Sequence, residues 1–254
     1  MFNKVPAVTL VFWIIKIMAT TVGETAADFL SDTMKLGLVN TSYVMTALLI
    51  VTLIIQLRSK KYIPWIYWLV VVFISVMGTL ISDNLVDNLG VSLVTTTLIF
   101  GIGLIAVFVL WYMSEKTLSV HTITTTRREL FYWAAILFTF ALGTSGGDLL
   151  SERLKLGYAL AAVIFITAIA LIYLAYKFIG MSSVLAFWLA YILTRPLGAS
   201  LGDLLTQAPK DGGLGISTAI INAIFFIVII GLVIYLTLEE RKQDKYRVKS
   251  ATGV

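Results

Sequence analysis

One carboxylate recurs at the same place in four copies of a repeated pattern, and in three copies a second acid follows four residues later. Because residues i and i+4 share a helix face, each of those copies presents paired acids. With no Cys and one His, the available ligands are oxygens, which suit protons, alkali ions, Mg²⁺, Ca²⁺ or Mn²⁺. We therefore predict that these acids bind a small cation for transport. They are Asp28, Asp83, Asp148, Asp203, Asp32, Asp87, Glu152 and Glu24, the first four being predicted metal ligands.

The same acids have two plainer interpretations. Gly residues at 143–147 and 198–202, together with Pro196, would loosen two helices just before the Asp. Asp148 could then N-cap a short helix over 148–156, a role that suits Asp. The acids could also be ordinary solvated residues. A broken helix end at membrane depth is tolerated only where it faces protein or a water-filled cavity, and this favours a cavity at that end of the molecule.

Two basic residues lie inside otherwise apolar segments. Lys16 lies near the middle of the first predicted span and Arg195 in the seventh, where a charge is expensive and usually functional. Lys16 does not recur, since the equivalent positions hold Val71, Ile136 and Tyr191. Each of the two residues either forms a structural ion pair with a motif Asp or acts as an intramembrane counter-charge that competes with a cation or proton for the acids.

The elements that must position these charges are themselves repeated. A Trp is followed ten residues later by a Gly, and the Asp comes five residues after that, with identical spacing each time. Such spacing identifies a fourfold internal repeat, which has to be settled before the fold is assigned. The copies are Trp13/Gly23/Asp28, Trp68/Gly78/Asp83, Trp133/Gly143/Asp148 and Trp188/Gly198/Asp203.

The Trp and Gly residues of the motif are predicted to serve repeat packing. Small side chains let membrane helices approach closely. A Trp near the start of a membrane helix suits an interfacial aromatic belt. However, a belt does not require a constant distance to a Gly, so a Trp packed into the neighbouring repeat is the alternative.

The composition indicates a polytopic membrane protein. The chain of 254 residues is 59% hydrophobic and 13% charged, whereas soluble domains are about 45–50% apolar and about 25% charged. Its apolar stretches approach or reach the roughly 20 residues that span a bilayer. The predicted spans are approximately 7–31, 41–57, 64–84, 91–113, 130–150, 157–178, 182–204 and 215–238.

The repeat spacing divides the chain into halves. Equivalent positions are 55 residues apart within a half and 120 apart between halves. We assign 1–120 to repeats 1 and 2, and 121–254 to repeats 3 and 4 with a basic tail at 239–254. Two spans per repeat give every repeat the same orientation, so we predict an all-α membrane protein of eight transmembrane helices with a pseudo-fourfold or pseudo-twofold axis along the membrane normal. The odd-numbered helices should surround the axis while the even-numbered ones face lipid.

The distribution of basic residues predicts the orientation. Thirteen Lys and Arg residues lie on the side of both termini and four on the other side. Positive loops mark the cytoplasm, so both termini are predicted to be cytoplasmic in a multi-pass inner-membrane protein. That rule accounts for the basic tail, and no nucleic-acid partner is expected.

The four motif copies, each with a Trp, a Gly and an Asp on a two-span hairpin, resemble a bacterial family of uncharacterised inner-membrane proteins. Its members have four tandem repeats, each with two transmembrane helices and a characteristic Trp. The resemblance covers nearly the whole chain and implies the eight-helix fold, without implying a substrate.

The leading functional hypothesis is a secondary transporter of a small cation, with Lys16 and Arg195 tuning protonation. A divalent metal ion is the favoured cation, since it suits oxygen ligands. A cation channel with a ring of carboxylates is the alternative, as is a non-transporting scaffold or sensor. Ser145–Asp148 faintly resembles the Gly-Asp motif of intramembrane aspartyl proteases, but no Tyr-Asp pair occurs, so we predict no enzymatic activity. The expected partners are the lipid bilayer, a small cation and protons, and no cofactor is expected beyond a bound divalent cation.

Overall fold

A computed structural model describes the backbone of residues 3–252 and the side chains of residues 3–151 and 153–242. Within these ranges the chain forms eight long helices and no strand. All eight are long and apolar enough to cross a membrane, which confirms the predicted fold class. The helices are α1 Leu10–Asp28, α2 Gly37–Arg58, α3 Pro64–Asp83, α4 Leu93–Glu115, α5 Thr126–Asp148, α6 Tyr158–Leu174, α7 Ser183–Thr206 and α8 Thr218–Thr252.

Most of these helices begin at a residue that suits a helix start. The hydroxyls of Thr9, Ser92, Thr125 and Ser182 each accept a hydrogen bond from a backbone N–H in the first turn of α1, α4, α5 and α7. These N–H groups have no partner within the helix, so the hydroxyl stabilises the end. α3 starts instead with Pro64, whose missing N–H is harmless there.

The inner helices α1, α3, α5 and α7 form a closed ring, in which each contacts the next and α7 contacts α1. Between 56% and 78% of the residues in their spanning segments are buried, against 11% to 22% in the outer helices α2, α4, α6 and α8. Each outer helix packs mainly on the inner helix of the following repeat, and α8 closes the cycle by packing on α1. The repeats are therefore arranged with pseudo-fourfold symmetry, and the core lies between the inner helices.

The four motif Gly residues lie at the contacts between successive inner helices. In each case a Cβ atom would collide with one equivalent side chain of the next repeat. Close approach of helix backbones through small residues is the usual mode of packing in membranes. The contacts are Gly23 with Ser75, Gly78 with Phe140, Gly143 with Arg195, and Gly198 with Thr20.

The motif Trp residues follow a second cycle near the start of the inner helices. Each Trp ring packs against the aromatic residue that precedes the Trp of another repeat. The ring centroids are 5.5 Å apart for Trp68 and Phe12, 5.4 Å for Trp133 and Tyr67, 6.2 Å for Trp188 and Tyr132, and 5.8 Å for Trp13 and Phe187.

Three of these Trp side chains belong to the protein interior, because Trp68, Trp133 and Trp188 are each less than 5% exposed, and Trp13 is half-buried. The structure thus places them between repeats rather than in a belt against lipid, whereas Trp65 is 53% exposed.

The predicted helix breaks before the motif Asp do not occur. α5 runs through the Gly residues at 143–147 and α7 runs through Pro196, because Gly and Pro are tolerated where neighbouring helices cover the backbone. In repeats 1 to 3 the helix widens after the Asp into a single π-helical turn, at Phe29–Thr33, Asn84–Asn88 and Leu149–Arg153. Repeat 4 has no such turn there, and a 3₁₀ turn at Pro209–Asp211 follows α7.

The helix bundle has a basic end and an acidic end. The basic end is where the inner helices begin, together with residues 3–9 and the connections at 59–63 and 116–125. The acidic end is where the inner helices finish in the motif Asp and the turns that follow.

Candidate functional site

Two of the charged residues singled out in the sequence, Glu24 and Arg195, meet between the inner helices. Glu24 has equivalents at the 55-, 120- and 175-residue offsets, namely Thr79, Thr144 and Ala199. Three of these four positions carry polar side chains that converge on the guanidinium of Arg195.

Arg195 joins its own repeat to each of the other three. Its Nη2 donates to Glu24 Oε2 at 2.8 Å, to Thr144 Oγ1 at 2.7 Å and to Thr79 Oγ1. Its Nη1 donates to the main-chain oxygen of Thr20 at 3.1 Å. The side chain is fully buried, so the arginine fills the axis at this level as a charged cross-link.

The Arg195–Glu24 ion pair is supported by hydroxyls on both sides. Thr79 Oγ1 also lies 3.2 Å from Glu24 Oε2, and the backbone of Gly143 leaves room for the Arg195 stem. A buried ion pair is stable only where further hydrogen bonds satisfy both partners. The threonines of repeats 2 and 3 supply part of that satisfaction.

Lys16 lies one turn nearer the basic end, is fully buried, and its Nζ has no hydrogen-bond partner. The ammonium lies 4.1 Å from the ring centre of Phe140 and 4.2 Å from that of Tyr191. It is also within electrostatic range of Arg195, whose charge has the same sign. Desolvated cation–π contacts contribute about 2 kcal/mol, whereas desolvating an ammonium costs several kcal/mol. Lys16 is therefore held at a net cost.

A file of acids leads from the acidic end to this pair. Asp87 is within electrostatic range of Asp32, and Asp83 is within range of Asp87, Asp28 and Glu24. Glu24 then contacts Arg195. We call Glu24, Asp28, Asp32, Asp83 and Asp87 the acid file; its members come from repeats 1 and 2 at one-turn spacing.

The remaining predicted acids belong to repeats 3 and 4. Asp203 is buried and Asp148 half-buried at the equivalent level of repeats 4 and 3, and the side chain of Glu152 lies outside the described residues. Among the side chains that the structure describes, no three acidic or His residues converge closely enough to hold a metal ion. Neither Asp28 nor Asp83 makes a side-chain cap hydrogen bond to the turn that follows it.

Sequence reasoning missed several participants. Thr79 and Thr144 were passed over although the repeat offsets from Glu24 lead directly to them. The hydrogen-bonded pair of Tyr67 and Tyr132, whose hydroxyl oxygens are 2.5 Å apart in the core, was missed as well. Glu129 was not considered, and it is 1% exposed at the basic end.

Comparison with known proteins agrees with the repeat architecture. The family model described as "Repeat of Unknown Function (DUF347)" matches residues 11–62, 66–117, 131–181 and 186–242. No curated protein and no solved structure shows significant similarity to the chain. Each matched segment holds one inner and one outer helix, and together the segments cover most of the sequence. The chain therefore belongs to the DUF347 repeat family, with four tandem copies of the repeat.

Proposed function

We propose that the protein is a secondary transporter of a small cation. The observation that carries the proposal is the acid file, which ends at a buried Arg195–Glu24 pair with a second buried basic side chain, Lys16, beside it. Ionisable groups inside membrane spans mark ion paths by default, because their burial is otherwise too costly.

The geometry suggests how a cation would be coupled to movement. The Glu24 carboxylate is in direct contact with the Arg195 guanidinium. A cation or proton that reaches Glu24 along the file competes with Arg195 for the carboxylate. Breaking a buried pair costs about 3–5 kcal/mol unless both partners are satisfied again, so Arg195 has to move as the cation binds. Because Arg195 contacts all three other repeats, its movement would loosen the whole ring.

A plain cation channel fits these contacts less well. The Arg195 side chain fills the axis with a positive charge that would repel a passing cation, and the buried Lys16 side chain lies beside it. We also infer that the chain is not an enzyme, since the internal repeat accounts for its Gly-Asp pairs.

The nature of the ion follows from the donor atoms. Carboxylates and hydroxyls favour hard cations, so Mg²⁺, Ca²⁺, Mn²⁺, alkali ions and protons all fit the proposal. A divalent ion would need the acids to draw closer than in this conformation. Lys and Arg residues are in excess in the loops at the basic end, and this supports a cytoplasmic location for both termini of a protein in an inner membrane.

Multi-element analysis of cells tests the proposal whichever metal is carried, because it measures all of them at once. Cells producing the protein should differ in the content of at least one metal from cells without it. Glu24→Gln and Asp83→Asn should abolish that difference, because each removes an ionisable carboxyl group from the acid file. Asp211→Asn, which changes an exposed acid at the same end, should preserve it. Identical metal content in all of these cells would overturn the proposal for metal ions.

A further inference from the structure

The strap, residues 3–9, crosses the basic end of the inner ring. The backbone N–H of Lys4 donates to the Ile123 oxygen at 3.0 Å, and the N–H of Tyr62 donates to the Asn3 oxygen at 3.2 Å. The strap is thus pinned to the connection between α2 and α3 and to that between α4 and α5. Val5 on the strap is buried in the core.

The Lys4 side chain turns into a buried polar site beneath the strap. Its Nζ donates to Glu129 Oε2 at 2.7 Å and to the Leu57 main-chain oxygen at 3.0 Å. Gln56 Nε2 donates to the other carboxylate oxygen of Glu129 at 2.9 Å. Glu129 and Gln56 are almost wholly buried, so the site is closed while the strap is in place.

This site offers more acceptor oxygens than the ammonium uses. Gln56, whose Nε2 lies on Glu129, and Asn3 on the strap each carry a buried side-chain oxygen without a hydrogen-bond partner. Orphaned buried acceptors normally find a donor or a cation, because their burial is costly. An ammonium and a small cation place the same demand on a site, namely a negative charge surrounded by oxygens.

We propose that Glu129 and the Leu57 carbonyl form a second cation site, at the opposite end of the core from the acid file, and that the Lys4 ammonium occupies it as a tethered cation. The strap is then the gate of the basic end. This inference rests on the proposed transport function and identifies where the cation arrives or departs at that end.

Opening of the strap is controlled by the buried charge of Glu129. If the strap lifts and takes Lys4 with it, the carboxylate is left buried without a counter-ion, which is strongly unfavourable. A free cation that binds Glu129 removes this obstacle. Opening of the strap is therefore coupled to the arrival of a cation.

Chemical rescue tests the cation site. Lys4→Ala empties the site, and methylammonium chloride should then raise the thermal unfolding temperature of the purified protein in a saturable way, since a ligand of the folded state stabilises it. Tetramethylammonium chloride, which has no N–H to donate, should not. The double variant Lys4→Ala/Glu129→Gln should not respond, and neither should Lys60→Ala, which removes an exposed lysine. Equal responses of all variants to methylammonium would overturn the site.

Cysteine labelling tests the gate and does not depend on the stability of a Lys4 variant. The chain has no Cys, so a single Val5→Cys substitution introduces a unique thiol. Val5 belongs to the strap and is buried in the core, so a maleimide can react with this thiol only when the strap opens. Methylammonium should accelerate labelling of Val5→Cys several-fold by displacing Lys4. Ala7→Cys, which is exposed on the strap, should label rapidly throughout. A labelling rate of Val5→Cys that does not change with methylammonium would overturn the gate.

These results separate the second site from the transport proposal. If Glu24→Gln abolishes the metal difference in cells while methylammonium has no effect at Lys4 and Val5, only the second site is wrong. If methylammonium acts as expected but the cells do not differ, the basic end binds a cation and the transport proposal is wrong.

Discussion

At the residue scale, the molecule is defined by charges that break its symmetry. Arg195 stands where the other repeats have Thr20, Ser75 and Phe140, and Glu24 stands where two of them have Thr. Symmetry alone would have produced a ring of neutral residues at both levels. The charged pair is thus an addition to the repeat, and its function does not follow from the packing of the bundle.

Removing one partner of the Arg195–Glu24 pair should destabilise the protein more than removing both partners. Arg195→Met leaves the Glu24 carboxylate buried and uncompensated, so we expect the free energy of unfolding to fall by about 3–5 kcal/mol. Arg195→Met combined with Glu24→Thr, which installs the residue of repeats 2 and 3, should recover most of the loss. Thermal or denaturant unfolding in detergent measures both.

The control for this cycle is Glu24→Thr alone, which leaves Arg195 with Thr79, Thr144 and the Thr20 oxygen as acceptors. The free energy of unfolding lost in Glu24→Thr should be smaller than the free energy that the double variant recovers relative to Arg195→Met. If the two single losses simply add in the double variant, Arg195 and Glu24 are not coupled and the pair is not the unit described above.

At the scale of elements, the inner helices are held at short distances by the motif Gly residues. The Gly78 contact is representative, because a Cβ there would lie 2.9 Å from the main-chain carbon of Phe140. Helix backbones this close cannot adjust to an extra methyl group by a rotamer change. The fourfold recurrence of the contact explains the constant spacing of the motif.

Gly78→Ala should therefore destabilise the protein by about 1–3 kcal/mol through overpacking. Gly231→Ala in α8 is the matched control, since no atom lies within 4 Å of its would-be Cβ. Because Ala favours helix over Gly by up to about 1 kcal/mol, that variant should be neutral or slightly stabilised. Equal thermal stability of the two variants would contradict close packing at the motif Gly.

The sequence allowed the helices to be predicted but not their ends. Apolar stretches of spanning length and a fixed internal spacing were sufficient for the eight helices and the inner and outer layers. The Gly-rich segment before Asp148 led to a wrong prediction. Its local flexibility predicts a helix break, but packing against Pro196 and Ala199 keeps the helix continuous. The π-helical turns depend on how the chain reaches the next outer helix, which local sequence does not encode.

At the scale of the whole molecule, four hairpins form a closed ring whose axis is blocked by side chains. Lys16 and Arg195 were predicted as buried charges from their depth alone. Their partners lie 51 to 175 positions away in the chain, so local sequence does not identify them, although the repeat offsets lead from Glu24 to Thr79 and Thr144. The Lys4–Glu129 pair was beyond sequence reasoning for the same reason: its residues lie 125 positions apart, in segments that resemble ordinary basic loops.

The central claim is that the buried charges on the axis couple cation movement to the state of the ring. The most direct test is ion flux into liposomes containing the purified protein, under gradients of Na⁺, K⁺, Mg²⁺, Ca²⁺ and Mn²⁺ in turn, with internal pH recorded by a trapped dye. The wild type should carry at least one of these ions, and Lys16→Val, which installs the residue of repeat 2, should lose that flux. Lys60→Val, at an exposed position of the basic end, should retain it. Flux through Lys16→Val equal to that of the wild type, or no flux of any ion through the wild type, would contradict the account.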